Sequence, residues 1–306
     1  MQSFWHDYNS YLVLGAVLLC LVAYGRGLSA LRKRAGHHAK PPPKGAFSEA
    51  ELNRYARHIM LREIGGPGQK RLKEAKVLVI GAGGLGAPAL LYLAASGVGL
   101  VGVVDDDIVE ASNLQRQVIH TDDRIGVDKV RSAQLAMTAL NPFIEVRPYK
   151  RRLTVENAKA LMEDYDLILD GSDNFATRYL VNETAVFLKK PLISAAITQW
   201  EGQISLYDPA RGGPCYACVF PTAPSPELVP NCAIAGVAAP LPGVVGAMMA
   251  TEAVKHLSQA GQTLRGRLFI YDALYGQSRV ILLSQDSACP VCRGAGPEIT
   301  LAQAHK

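Results

Sequence analysis

The stretch VLVIGAGGLG, residues 77–86, decides the fold, because a run of apolar residues passes directly into a glycine-rich turn. The apolar part predicts a buried parallel strand, and residues 88–95 predict the helix that follows the turn. Gly81, Gly83 and Gly86 form a G-x-G-x-x-G pattern, in which glycines permit a tight turn and let backbone N–H groups approach phosphate oxygens. The stretch therefore predicts a nucleotide-binding strand–turn–helix unit.

Strands and helices are predicted to alternate along the chain as far as residue 195. The predicted strands are 77–80, 100–104, 145–148, 167–169 and 192–195, and the predicted helices are 88–95, 129–140, 156–162 and 178–188. This alternation is typical of an α/β protein with a Rossmann-like, doubly wound and mostly parallel sheet. Strands at 202–207, 268–271 and 279–283, with a small-residue helix over 243–257, predict a mixed or antiparallel C-terminal extension.

An uncharged apolar run, residues 11–24, predicts an N-terminal transmembrane helix once its flanks are included. Most of the excess positive charge follows it, between residues 26 and 44, so the positive-inside rule places the rest of the chain in the cytoplasm as a single-pass inner-membrane protein. A buried core helix is the alternative. We expect four parts: a membrane anchor (1–34), a Pro/Lys-rich linker (35–46), the main domain (47–296) and a tail (297–306).

Composition limits the function classes. The chain has 306 residues, a net charge of +5 and 49% hydrophobic residues, which suffices for a large buried core. Outside the basic segment the charges are nearly balanced, so we expect no nucleic-acid partner.

Charged residues after the glycine turn favour a triphosphate over a dinucleotide. Asp105 lies 19 residues beyond Gly86, at the end of the next predicted strand, where an acid can bind a ribose hydroxyl. Arg57, Arg116 and Lys129 supply several cations, as a triphosphate requires. Taken singly, each could be a surface salt-bridge partner. The glycine pattern alone would also suit an oxidoreductase that uses NAD or FAD.

Two further acids, Asp170 and Asp173, follow the predicted strand 167–169. Ligands bind at such strand ends in this architecture, and a carboxylate there suits Mg²⁺ that bridges phosphate oxygens.

Four of the six cysteines form two C-x-x-C pairs, Cys215 with Cys218 and Cys289 with Cys292. Two such pairs predict a closed, structural Cys₄ zinc site, with redox-active or unpaired cysteines as the alternative. Cys232 has no such partner and lies beyond a segment rich in proline and serine.

The motifs RYARHIMLREIG, GAGGLG, SNLQRQ, GVDKV, LDGSDN and AGVAAPLPGVVG come in the order found in the ubiquitin-activating enzyme superfamily. The chain resembles its bacterial MoeB/ThiF/HesA adenylyltransferases most closely, over residues 47–294. The resemblance implies adenylation of the C-terminal glycine carboxylate of a ubiquitin-like sulfur carrier ending in Gly-Gly, with ATP and Mg²⁺ and release of pyrophosphate. It agrees with Zn²⁺ on the four cysteines.

The resemblance also implies roles for individual residues. Those lining the nucleotide are Gly81, Gly83, Gly84, Gly86, Asp105, Asp107, Asn113 and Gln117. Those acting on the phosphates are Arg116, Lys129, Asp173 with Mg²⁺, and Arg57, which reaches the neighbouring subunit of a homodimer. Cys232 corresponds to a loop cysteine that carries a covalent intermediate in some members.

Alternatives remain at this level. The adenylated group could be another carboxylate or a tRNA base, and a membrane-tethered scaffold could bind nucleotide or zinc without turnover. No sulfur-transfer domain is expected after the main domain, so sulfur would come from a separate persulfide donor.

Overall fold

The computed structural model describes Tyr24 and residues 47–224 and 236–293. Its strands form one sheet in the order β3-β2-β1-β4-β5-β6-β7-β8. The strands are β1 (Lys76–Ile80), β2 (Leu100–Asp105), β3 (Glu145–Lys150), β4 (Leu167–Asp170), β5 (Leu192–Ile197), β6 (Glu201–Tyr207), β7 (Arg267–Asp272) and β8 (Gln277–Leu282). The helices are α1 (Glu49–Ile59), α2 (Gly65–Glu74), α3 (Gly86–Ser96), α4 (Lys129–Leu140), α5 (Val155–Met162), α6 (Phe175–Phe187), α7 (Tyr216–Val219) and α8 (Pro240–Ser258).

The sheet has two parts. Strands β1 to β5 pair in parallel, and β6, β7 and β8 continue the sheet as antiparallel strands. The predicted doubly wound α/β sheet with an antiparallel C-terminal extension is thus confirmed.

Strand β1 shows why the sheet needs helices on both faces. Val77 and Val79 belong to one buried cluster, with side chains of α3, α4 and α8, whereas Leu78 and Ile80 belong to another, with side chains of α5 and α6. Successive side chains of a strand point to opposite faces, so a wholly apolar strand must be covered twice.

Helices α6 and α2 differ from the prediction for reasons that lie in their local sequence. Helix α6 begins at Phe175, earlier than predicted, because the side chain of Asn174 accepts a hydrogen bond from the backbone N–H of Thr177 at 2.9 Å and caps the helix. Helix α2 was not predicted, since its sequence GGPGQKRLKE opens with three glycines and a proline.

The predicted membrane helix requires a correction. Across the described residues, no helix combines the length and the apolar character needed to cross a bilayer. The run at 11–24, apart from Tyr24, lies outside those residues, as do the linker 35–46 and the tail 297–306. In the part of the chain that the structure describes, the fold is therefore an α/β sheet without the transmembrane helix we expected, and the same finding contradicts the predicted single-pass placement at the inner membrane.

Candidate functional site

The glycine turn lies where β1 ends and α3 begins, and two of its glycines are required sterically. Gly81 has φ of +92°, a conformation that side chains disfavour. A Cβ on Gly86 would lie 1.9 Å from the carbonyl oxygen of Gly81. The turn is therefore closed so tightly that residue 86 must be glycine.

Ala82 in this turn is held through both of its backbone polar groups. The backbone N–H of Ala82 donates to Asp105 Oδ2 at 2.8 Å, and the carbonyl oxygen of Ala82 lies 3.0 Å from His120 Nε2. Asp105 Oδ1 accepts a second hydrogen bond, at 2.9 Å, from the N–H of Asp107. Both oxygens of this carboxylate thus order the backbone around the turn.

Burial raises the pKa of Asp105, and the nearby Lys129 and the two N–H donors work in the opposite direction. Each carboxylate oxygen can accept more than one hydrogen bond, so Asp105 keeps capacity for a ribose hydroxyl.

His120 was missed by the sequence analysis, although it ends the run SNLQRQVIH that supplied three expected residues. Its side chain is buried, and its Nδ1 lies 2.9 Å from Ser132 Oγ in α4. Because the carbonyl of Ala82 can only accept, Nε2 must carry the proton and Nδ1 must accept from the Ser132 hydroxyl. Burial lowers the pKa of His120, which favours this neutral ring.

The structure places Lys129 and Arg116 close to the turn. Lys129 is buried at the start of α4, and its Nζ lies 2.7 Å from Asp107 Oδ2, while Asp107 itself is exposed. Arg116 donates from Nη1 to the carbonyl of Ser112 at 3.1 Å, and its Cδ lies 3.8 Å from where a Cβ on Gly84 would be. Both predicted cations therefore belong to the same neighbourhood as the glycine turn.

Two buried amides line this neighbourhood. Gln117 Nε2 lies 3.7 Å from a Cβ position on Gly83, and Gln117 Oε1 is buried without a hydrogen-bond partner among the described residues. Asn113 is also buried, and its amide donates to Ser112 Oγ at 3.2 Å. A buried amide oxygen without a donor is costly, so Gln117 Oε1 fits a site that a ligand donor completes.

The two strand-end acids differ. Asp170 is fully buried: its Oδ1 accepts from the N–H and hydroxyl of Ser172, and its Oδ2 accepts from the hydroxyl of Ser194. The guanidinium of Arg178 lies 3.7 Å away. Asp170 is therefore a structural residue, and considering it for magnesium was wrong. Asp173, three residues later, is exposed and remains the carboxylate of this strand end that a ligand can reach.

Arg57 lies apart from its own glycine turn. It is exposed near the end of α1, next to His58, whose Nδ1 lies 3.1 Å from Gln69 Oε1. The Gln69 amide in turn donates to the carbonyl of Ser96, the last residue of α3, whereas the glycine turn precedes the first. An eleven-residue helix, about 16 Å long, separates these ends. The structure does not bring Arg57 together with the other predicted residues of the same chain.

The four paired cysteines do come together. The Sγ–Sγ distances are 3.7 Å for Cys215 and Cys218, 3.6 Å for Cys215 and Cys289, and 3.5 Å for Cys218 and Cys292. All four sulfur atoms lie within 4.8 Å of one another. Four thiolates at about 2.3 Å from a tetrahedral zinc ion would be about 3.8 Å apart, so the set fits zinc. Cys232 lies outside the described residues.

Helix α8 covers the glycine turn from the other side. Pro242 Cβ is 3.1 Å from a Cβ position on Gly84, and a Cβ on Gly246 would meet the carbonyl oxygen of Leu85 at 2.3 Å. The motif AGVAAPLPGVVG thus places a small-residue helix against the turn.

Comparison with known proteins settles the family. Residues 55–291 match the model of the ThiF family. The chain belongs to the ThiF family. A sulfur carrier protein adenylyltransferase of Thermus thermophilus is 50% identical over 250 residues, which cover 80% of this chain and 92% of that protein. A SAMP-activating enzyme E1 of Haloferax volcanii is 48% identical over 251 residues, covering 82% and 92%.

Longer relatives match only in part. A probable adenylyltransferase/sulfurtransferase MoeZ of Mycobacterium tuberculosis is 50% identical over 251 residues, covering 81% of this chain but 64% of that protein. A crystal structure of Escherichia coli MccB with ATP has a TM-score of 0.70 at 24% identity, covering 80% of this chain and 76% of that one, which supports the fold alone. The predicted family and the predicted class, an adenylyltransferase of the ubiquitin-activating superfamily, are confirmed.

Proposed function

We propose that this ThiF-family chain adenylates the C-terminal glycine carboxylate of a small ubiquitin-like sulfur carrier, with ATP as the adenylyl donor and pyrophosphate as the product. The observation that carries the proposal is the preorganised glycine turn, which has around it Arg116, Lys129 and the buried amide oxygen of Gln117, which has no hydrogen-bond partner among the described residues. The names of the relatives from T. thermophilus and H. volcanii support a carrier protein as the substrate.

The reaction depends on positioning of the carboxylate and the triphosphate more than on acid–base catalysis. A carboxylate oxygen attacks the α-phosphorus and forms a mixed anhydride, while the bond from that phosphorus to the bridging oxygen breaks and pyrophosphate leaves. The carboxylate is already nucleophilic, so no general base is needed. Arg116 and Lys129 neutralise charge on the phosphates, and Asp105 and Gln117 orient the nucleoside.

Magnesium and zinc have separate places in this proposal. Asp173 would hold Mg²⁺, whose chemistry when bound is to neutralise phosphate charge, and one carboxylate with phosphate oxygens is a common magnesium ligand set. The four cysteines would hold Zn²⁺ as a structural ion that ties the segment after β6 to the segment after β8.

A homodimer would explain the position of Arg57. Since α3 separates it from its own glycine turn, Arg57 can act on a triphosphate only if a second copy presents it. Mixing Arg57→Ala and Asp173→Ala chains tests this, because hybrid dimers would contain one site with both native residues. Recovery of activity on mixing is expected, and two inactive proteins that stay inactive would contradict the shared site.

The central test is carrier-dependent ATP–pyrophosphate exchange by the full chain, with several Gly-Gly-ended carriers. We expect exchange to need a carrier and to fall about 100-fold or more in Asp173→Ala. Asp164→Ala is the matched control, because Asp164 is an exposed acid in the turn before β4, at the opposite edge of the sheet. Tight ATP binding without exchange on any carrier would favour another carboxylate or a tRNA base as the substrate, and absence of ATP binding would refute the proposal.

A further inference from the structure

A pair of adjoining cavities lies far from the glycine turn. They have volumes of about 490 Å³ and 340 Å³, and both are lined by Arg211, His256 and Gln259. The smaller is also lined by Asp166 and Pro191, which precede β4 and β5. The cavities therefore lie at the amino ends of the parallel strands, whereas the nucleotide site lies at their carboxyl ends.

The length of helix α8 gives the distance between the two sites. Its first turn contains Pro242, which lies against Gly84, and its C-cap is Gln259, which lines both cavities. Nineteen residues of α-helix span about 28 Å. A ligand in the cavities would thus be distinct from ATP at the glycine turn.

The larger cavity is lined by an excess of positive charge. Of the residues that the structure describes, four cationic side chains and no carboxylate line it; the cations are Arg211, Lys255, Arg265 and Arg267. Two buried acids lie behind them and compensate only part of this charge. Asp208 lies 3.1 Å from Arg265 and 3.8 Å from Arg211, and Glu252 lies 2.5 Å from Lys255. Four cations against two acids leave two positive charges, and the smaller cavity adds Lys189 and Lys190 against Asp166.

Backbone strain is also concentrated here. Among the described residues, two that are not glycine have positive φ, Lys189 at 54° and Gln259 at 61°, and both line the cavities. Glycine would adopt these conformations with less strain. Gln259 is the C-cap of α8 and Lys189 follows Leu188, the C-cap of α6, and helices commonly end in this left-handed conformation, most often with a glycine. Lysine and glutamine would each offer a donor to an anion.

The lining also restricts the chemistry of a ligand. Among the described residues, the larger cavity is lined by cations, amides, a threonine, a histidine and a glycine, without a phenylalanine, tyrosine, tryptophan, leucine, isoleucine or valine. Guanidinium groups bind phosphate oxygens through paired N–H donors, and ammonium groups add point charges. We propose that these cavities form a second binding site, for a small phosphate-bearing anion with two or more negative charges.

His256 provides a reporter inside this site. Burial first, and then Arg211 and Arg265, lower its pKa to about 4, so the ring is neutral near pH 7. A bound polyanion would offset the charge of the two arginines, so occupancy should raise the pKa of His256.

The test uses pyrophosphate as the probe on the full chain, with a non-hydrolysable ATP analogue saturating the nucleotide site. Calorimetry should show one remaining site, and Arg211→Gln and Lys189→Gly should each weaken it about tenfold. Both variants should fold, because Arg211 is 62% exposed and glycine suits the backbone at 189. Arg62→Gln, which removes an exposed cation outside the cavities, is the matched control.

Nuclear magnetic resonance supplies a second readout. In the wild type, pyrophosphate should shift the titration of His256 to higher pH, and the shift should be smaller in Arg211→Gln. Absence of binding once the nucleotide site is filled would overturn the proposal. So would binding that all three variants leave unchanged, because it would lie elsewhere on the surface.

Discussion

Replacing His120 by alanine should loosen the glycine turn without touching any group that contacts ATP in our proposal. The ring is buried and joins the carbonyl of Ala82, at 3.0 Å, to the hydroxyl of Ser132, at 2.9 Å. One bond reaches the turn and the other reaches α4, the helix that begins at Lys129. His120→Ala therefore disconnects the turn from the helix that carries Lys129, the cation we propose to bind phosphate.

The size of the effect follows from the two contacts. A buried carbonyl that loses its donor costs about 1–3 kcal/mol, and the void left by the ring adds about 1 kcal/mol. Ser132 loses less, because a helical serine can hydrogen-bond a carbonyl of the preceding turn. We expect the free energy of unfolding to fall by about 3 kcal/mol, which lowers Tm by roughly 6–12 °C in a domain of this size.

The assay combines thermal denaturation with carrier-dependent ATP–pyrophosphate exchange. Exchange should fall about tenfold or more through a raised KM for ATP, because the turn is no longer preorganised. His120→Gln should recover part of both losses, since its amide can donate to the same carbonyl. If His120→Ala melts like the wild type and keeps its KM for ATP, the ring does not hold the turn and this reasoning fails.

Three other outcomes are expected. Gly86→Ala should abolish ATP binding or folding, since its Cβ would lie 1.9 Å from the oxygen of Gly81, whereas Gly243→Ala, with no atom within 4 Å of its Cβ, should bind ATP normally. Cys289→Ser should lose bound zinc, measured by metal analysis, and lower Tm; equal zinc content would contradict the four-cysteine site. The pKa of His256 is lowered to about 4, so the unfolded chain binds a proton between pH 6.5 and 4 that the folded chain does not. The free energy of unfolding should fall as pH drops through that range, by about 2 kcal/mol at pH 5. Urea denaturation of His256→Gln at several pH values should show a pH dependence of stability that lacks this contribution.

Sequence patterns predicted those parts of the structure that depend on local spacing. The glycine turn, the strand-end Asp105 and the two cysteine pairs each depend on neighbours in sequence, and the fold brings the two pairs together as zinc chemistry requires. Asp170 shows where sequence spacing fails to predict a role. Its position at a strand end suits a metal ligand, but its carboxylate already accepts three hydrogen bonds and lies near a guanidinium group. The basic cavities could not be predicted, since their lining comes from segments between residues 166 and 267 that only the fold assembles.

The backbone of Ala82 explains how a weak motif becomes a selective site. Asp105 accepts from its N–H and His120 donates to its carbonyl, so the peptide groups on both sides of Ala82 are fixed and its N–H is already occupied. In the proposed reaction, phosphate oxygens would then be bound by other N–H groups of the turn and by Lys129 and Arg116, whose positions the fold sets before ATP binds. Preorganised donors cost no reorganisation when charge develops on the phosphates. A glycine pattern is common to many nucleotide sites, and in our proposal the two hydrogen bonds of Ala82, together with these cations, adapt it to a triphosphate.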